Sequence, residues 1–175
     1  GDWSSDVCSS DLICIPAAFT QLDNNRIDGL FIANGKVINR KSVNHTLGGG
    51  LLVHNDSISI IGTERGSLLN ESWISDAEKP GTFFFQQIRM VVEGVPQSFP
   101  RDKSFFQRRA VMITKEGEVA IVESKKPITL DQFAHDLLGM KAWNAMYTDM
   151  GDWDEGWYRE EIKDSLITIG SLMTD

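Results

Sequence analysis

The chain has 175 residues, 41% of them hydrophobic and 24% charged, with a net charge of −8. That is length and apolar content enough for one domain with a core, and no apolar run reaches the roughly 20 residues of a membrane span. Basic residues gather in no more than pairs, as at Arg108-Arg109 and Lys125-Lys126, which argues against a nucleic-acid partner, since phosphate neutralisation needs a basic face.

Gly1–Leu12 mixes Ser and Asp with no helical or strand period. It resembles the translated adapter found at the ends of metagenomic reading frames and is set aside as a non-native artefact. Without it the 25 acidic residues fall to 22 against 17 basic ones. Cys14 is then a lone thiol that cannot form an intramolecular disulfide. Residues 13–175 read as a single domain, incomplete at both ends, with no signal sequence to locate it.

Hairpins come first. Leu30-Phe31-Ile32 and Lys36-Val37-Ile38 flank Asn34-Gly35, a strong hairpin signal. Gly48-Gly49-Gly50 leads into Leu51–Val53 and Ile58–Ile61, turned at Asn55-Asp56. The polar stretch 63–82 reads as a long loop or short helix. Phe83–Val92 is apolar enough for one strand buried on both faces, turned at Glu93-Gly94. After a loop with Pro96 and Pro100, Arg109–Ile113 and Val119–Val122 form a third hairpin around Lys115-Glu116-Gly117. The period then changes. Leu130, Phe133, Ala134, Leu137 and Leu138 form one helical stripe over about 129–139. Thr129 with Gln132 is a capping-box pattern and Gly139 marks the stop. Ala142–Thr148 returns to strand. The sum is an α+β fold, a largely antiparallel sheet with one main helix packed on it.

The segment that follows carries most of the chemistry. Asp149 ends an apolar strand, and residues 150–159 crowd glycines, acids, Trp153, Trp157, Tyr158 and Arg159 together. A carboxylate where a sheet meets a loop is a common catalytic position. Aromatic planes beside acids suit a sugar ring. The same residues also describe a polar turn whose tryptophans plug the core. Asp149, Asp152, Asp154 and Glu155 lack the EF-hand register, so a divalent cation is a weak possibility beside a solvated acidic loop.

Six segments, in order, carry a family likeness. Ile15-Pro16-Ala17-Ala18-Phe19 stands at an Asn-Gly/Ala-Phe-Phe signature, and Asp28–Lys36 at the hairpin after it. Phe85–Gly94 matches a Gln-Thr-Gly-Pro-Leu-Leu-Val segment, and Arg108–Val111 an Arg-Thr-Ala-Ile motif. The Thr129 helix and Asn144–Asp149 match a helix and an Ala-Leu-Asn-Leu-Asp-Gly-Gly-Gly-Ser ending. Together they resemble the phosphodiester glycosidase family, whose bacterial members are often labelled exopolysaccharide-related. Pro16 replaces the signature Asn, and Met150-Gly151-Asp152-Trp153 replaces Gly-Gly-Gly-Ser.

The resemblance implies a secreted, periplasmic or surface-anchored hydrolase that cleaves a sugar-1-phosphodiester in a glycan, needing no cofactor. Asp149 is the expected nucleophile, base or electrostatic stabiliser, against the alternative of a turn cap. Arg108 is expected to hold the phosphate. Arg108 and Arg109 point to opposite faces of a strand, so at most one reaches a given pocket. Either could instead pair with a neighbouring acid. Gln86 completes the expected catalytic set. Gln87, Arg109, Gly151, Asp152, Trp153, Trp157, Arg159 and Phe19 are expected to contact substrate. A buried glutamine amide would serve equally by bonding a nearby loop backbone. The alternative function is a non-catalytic glycan-binding module on the same fold.

Overall fold

The computed structural model describes residues 13–14, 17–21, 23, 26–38, 42–149, 157–158 and 167–168, the first and the last two pairs as backbone only. In chain order the elements are β1 (Ile13–Cys14), β2 (Phe31–Ala33), β3 (Lys36–Val37), β4 (Gly49–His54), β5 (Ser57–Gly62), α1 (Glu71–Ala77), β6 (Thr82–Gln87), β7 (Arg89–Val92), β8 (Val95–Pro96), β9 (Arg109–Thr114), β10 (Val119–Glu123), α2 (Leu130–Gly139), β11 (Ala142–Thr148), β12 (Trp157–Tyr158) and β13 (Ile167–Thr168).

The strands build two main sheets. One is ordered β3-β2-β6-β4-β5 and the other β13-β10-β9-β11-β7-β8; β1 and β12 pair separately. Pairing is antiparallel except for β10 with β13, which is parallel. The α+β expectation holds in outline, with two main sheets and two helices where one sheet and one main helix were expected.

Strand alternation sorts the core into layers. Phe85, Ile60 and Leu51 of the first sheet meet Met146 and Ile113 of the second. The opposite face of the first sheet, with Ile32 and Phe84, packs on Ile74 and Ala77 of α1. The opposite face of the second, with Ala110, Met112, Ala145 and Tyr147, packs on Phe133, Ala134 and Leu137 of α2. The order is therefore helix, sheet, sheet, helix.

The predicted hairpins form. Asn34 and Gly35 take φ of 47° and 77°, and Asn55 takes 53°, the left-handed backbone that tight turns need. Strands β4 and β5 begin and end slightly beyond their predicted limits because Gly49 and Gly50 pair in the ladder with Gly62 and Ile61. Gly50 has a packing reason: a Cβ there would lie 2.3 Å from the Phe84 ring.

One expectation needs correction. The run Phe83–Val92 is not one strand. It leaves the first sheet after Gln87 and enters the second at Arg89. The Gln87 side chain marks the crossing, because its Oε1 accepts from the Ile88 N–H (2.9 Å) that would otherwise sit in a ladder. Gly139 ends α2 as expected, as its last helical residue, while the left-handed φ of 69° falls on Lys141. At the other end Thr129 Oγ1 accepts from Gln132 N (3.2 Å) as predicted, but the Gln132 amide reaches Asp136 instead of closing the box. The stretch 63–82 contains α1, begun by Asn70, whose side chain accepts from Trp73 N at 2.9 Å.

Candidate functional site

The end of β11 beside β9 brings several of the expected residues together. Thr148 stands opposite Arg109, and Tyr147 opposite Ala110. Alternation places Arg108, Tyr147 and Asp149 on the α2 side of the second sheet, and Arg109 with Thr148 on the side facing the first sheet. The contacts agree. The Arg108 guanidinium lies 5.9 Å from the Tyr147 ring centroid and 5.2 Å from that of Phe106. It is also a hydrogen-bond neighbour of the Tyr147 hydroxyl, and the Asp149 carboxylate acts on the same phenol. Burial raises the Tyr147 pKa, against a lowering by Arg108. Burial thus keeps the phenol in its neutral form, its oxygen accepting from the guanidinium, with the Asp149 charge acting on it as well.

Arg108 is buried, and its position is fixed by the chain around it. Its Nε donates to Ile128 O (3.1 Å) and its Nη2 to Ser104 O (2.9 Å), while Ser124 Oγ accepts from its backbone N–H (2.7 Å). Asp102 sits beside it, bonded to Ser104, and those bonds, with Arg108 as a lesser cause, hold its carboxyl below the ordinary range. Nε and Nη2 of the guanidinium are thus spent on loop backbone.

Phe19 reaches this cluster, its ring 5.9 Å from Tyr147. Gln87 supports it from behind. Its Nε2 donates to Ala17 O (3.2 Å), and the Asp149 N–H donates to the same carbonyl (3.1 Å). The segment that carries Phe19 is thereby tied to the acid.

Gln86 lies elsewhere. As the strand neighbour of Gln87 it points the opposite way, to the α1 side of the first sheet. It is 0% exposed. Its Oε1 accepts from Leu30 N (2.8 Å) and Asn44 N (3.0 Å), and its Nε2 donates to Asn44 O (2.8 Å) and Leu47 O (3.4 Å). Every donor and acceptor site of the amide is thus occupied by backbone. The expected meeting of amide, guanidinium and acid around one hollow involves Arg108 and Asp149 but not Gln86.

Arg109 faces the first sheet and pairs with Glu123 directly across the ladder, Nε to Oε1 at 2.7 Å. Trp157 is described only as backbone, paired with Cys14. Gly151, Asp152, Trp153 and Arg159, and the acidic loop beyond Asp149, lie outside the described residues. Among the described residues no group of three or more His, Cys, Asp or Glu is placed to hold a metal.

Sequence reading missed Tyr147 and Phe106. Tyr147 was detectable, since it lies two residues before Asp149 and so on the same face. Phe105 and Phe106 sit in a loop read only as polar, yet are 67% and 58% exposed.

No family model matches the chain, and no curated protein matches it. Among solved structures, the catalytic domain of zebrafish N-acetylglucosamine-1-phosphodiester alpha-N-acetylglucosaminidase, auto-inhibited by its pro-peptide, is similar over 79% of this chain, with 16% identity and a TM-score of 0.56. The two share a fold. The chain spans 50% of that structure's length. The relationship to a phosphodiester glycosidase is therefore distant and at the level of architecture. No helix of the described residues is long and apolar enough to cross a membrane.

Proposed function

We propose that this protein is a hydrolase of a sugar-1-phosphodiester linkage in a glycan, acting outside the cytoplasm. The observation that carries the reading is the convergence of Arg108, Tyr147 and Asp149 at the end of β11, in a fold shared with a phosphodiester glycosidase. The guanidinium Nη1 and the phenol O–H hold the phosphate oxygens as charge grows there. Asp149 stabilises the oxocarbenium-like carbon and takes a proton from the attacking water. The bond from the anomeric carbon to the bridging oxygen breaks, its electron pair leaves on the phosphate, and water supplies the new hydroxyl. A phosphomonoester leaves readily, which fits a site where burial keeps the Tyr147 phenol protonated. Gln87 positions Asp149 through Ala17 O, Gln86 shapes the 44–47 loop, and Phe19 supplies an apolar wall. Arg109 supports the sheet end through Glu123. Gly151, Asp152, Trp153, Trp157 and Arg159 would close the sugar side.

The test is release of sugar from a sugar-1-phosphodiester. Asp149→Asn should cut turnover by about 100-fold or more, a charge-stabilising role of ordinary size; equal activity in the variant removes Asp149 from the mechanism. A second reading, a glycan-binding module without turnover, is favoured by one observation: the exposed Phe105 and Phe106 rings beside Arg108. Binding without sugar release, lost in Phe106→Ala or Trp153→Ala, would establish that alternative.

A further inference from the structure

Arg89 is the one cation among the described residues with an enclosed nitrogen that has no partner. It points into the gap between the sheets, opposite Met146, on the far side of the second sheet from Arg108 and Asp149. Its floor is two glycines that face each other on β4 and β5. A Cβ at Gly49 would lie 2.6 Å from Arg89 Cγ, and one at Gly62 would lie 2.8 Å from Nη1. The sequence has thus cleared space for a guanidinium at this spot. Yet the guanidinium has one hydrogen bond, Nη2 to Asn144 Oδ1, at a long 3.4 Å. Its Nε is enclosed with no acceptor. Burial lowers its pKa, opposed by Glu93.

Asn144 sharpens the picture. Its Oδ1 also accepts from the Glu93 N–H at 3.2 Å. Two donors converge on that oxygen, which settles the orientation of the amide and turns its NH2 away from both. The guanidinium therefore keeps N–H groups that find no acceptor among the described residues. Partly buried donors in that arrangement ask for one.

We propose that Arg89 and Asn144 form a second site, an oxyanion notch between the sheets. Arg89 Nη1 and Nη2 would grip two oxygens of one group, the fork geometry that favours carboxylates and phosphates, while Asn144 Oδ1 holds the guanidinium in place. Glu93 faces the same guanidinium, so a singly charged anion fits the local balance better than a dianion. The chemical class is a carboxylate, as on an acidic sugar, or a phosphodiester. The site shares no residue with the Arg108–Asp149 cluster and stands whether or not that cluster is catalytic.

The experiment is thermal unfolding of the whole chain titrated with sodium glucuronate or sodium dimethyl phosphate, against sodium chloride at equal ionic strength. One anion or both should raise the Tm saturably above chloride, and the responding arm identifies the source. The Arg89 Nε–Hε resonance should shift along the same titration. Arg89→Lys should weaken the response about tenfold, because a point charge loses the fork. Asn144→Asp supplies a carboxylate in place, so it should raise the Tm without ligand and abolish the response. Tm shifts no larger than those in chloride, or an Arg89→Lys response equal to wild type, overturn the proposal.

Discussion

Gln86→Met is the sharpest test of how the first sheet is held. Methionine nearly matches glutamine in volume, so the packing on the α1 side survives while the amide disappears. The change strips acceptors from Leu30 N and Asn44 N and a donor from Asn44 O, at 2.8, 3.0 and 2.8 Å, with a weaker 3.4 Å bond to Leu47 O. A buried group left unpaired costs about 1–3 kcal/mol. Leu30 is wholly buried and bears that in full. Asn44 is half-exposed, and its groups recover part of the loss by turning to water. The expected total is about 2–5 kcal/mol, or roughly 4–20 °C in Tm for a chain of this size. That is a large share of the roughly 5–15 kcal/mol that stabilises an ordinary domain. Urea unfolding followed by circular dichroism reads it directly, with an unchanged m-value as the control. Sugar release per folded molecule should stay the same. A loss under about 0.5 kcal/mol, well below one unpaired buried group, would refute the reasoning; full stability with lost turnover would return Gln86 to the catalytic set.

Other consequences can be measured on the same material. Gly50→Ala drives a Cβ to 2.3 Å from a Phe84 ring already wedged at 4.9 Å from Trp73, so it should cost about 1–3 kcal/mol of overpacking in urea titrations. Burial raises the Tyr147 pKa in the folded state. Above the ordinary value of about 10 the unfolded chain loses a proton that the folded one keeps, so stability should fall as pH rises through that range, and Tyr147→Phe should flatten the slope. The Asp131 carboxyl is held below its ordinary range, first by the Phe99 N–H at 2.8 Å. Its contribution is complete above about pH 4 and is lost as pH falls through the lowered folded value. Acid titration of Asp131→Asn should lack that part of the curve.

Local chemistry was readable where a single residue type decides the backbone. Asn34-Gly35 and Asn55 fix hairpins because few other residues sit at positive φ. The α2 stripe was readable because its period has no strand interpretation. Phe83–Val92 was not readable as two strands. Apolar content tells that a run is buried, not which layer buries it, and the switch depends on Gln87 finding Ala17 from a distant segment. For the same reason Gln86 and Gln87 looked alike in the sequence, although alternation sends one to the loop at 44–47 and the other towards Asp149. Lys141 rather than Gly139 takes the left-handed position, an outcome of how β11 must leave the helix. Asp149 was singled out by its strand-end position and Arg108 by the family resemblance; alternation said only that Arg108 and Arg109 point to opposite faces. Phe106 was not, because a loop's composition does not reveal which ring it sets against a cation.

The passage from β6 to β7 without an intervening turn also governs how the molecule assembles. Each layer is a contiguous stretch of chain joined to the other at residue 88, so what binds them into one unit is the apolar face they share, with Phe85, Ile60 and Met146. Synthesis from the N-terminus leaves the first layer's inner face, with Phe85 and Ile60, without its cover until β9 and β11 emerge. The chain must therefore shield that face during translation, and slow, all-or-none acquisition of structure is the expected kinetic signature.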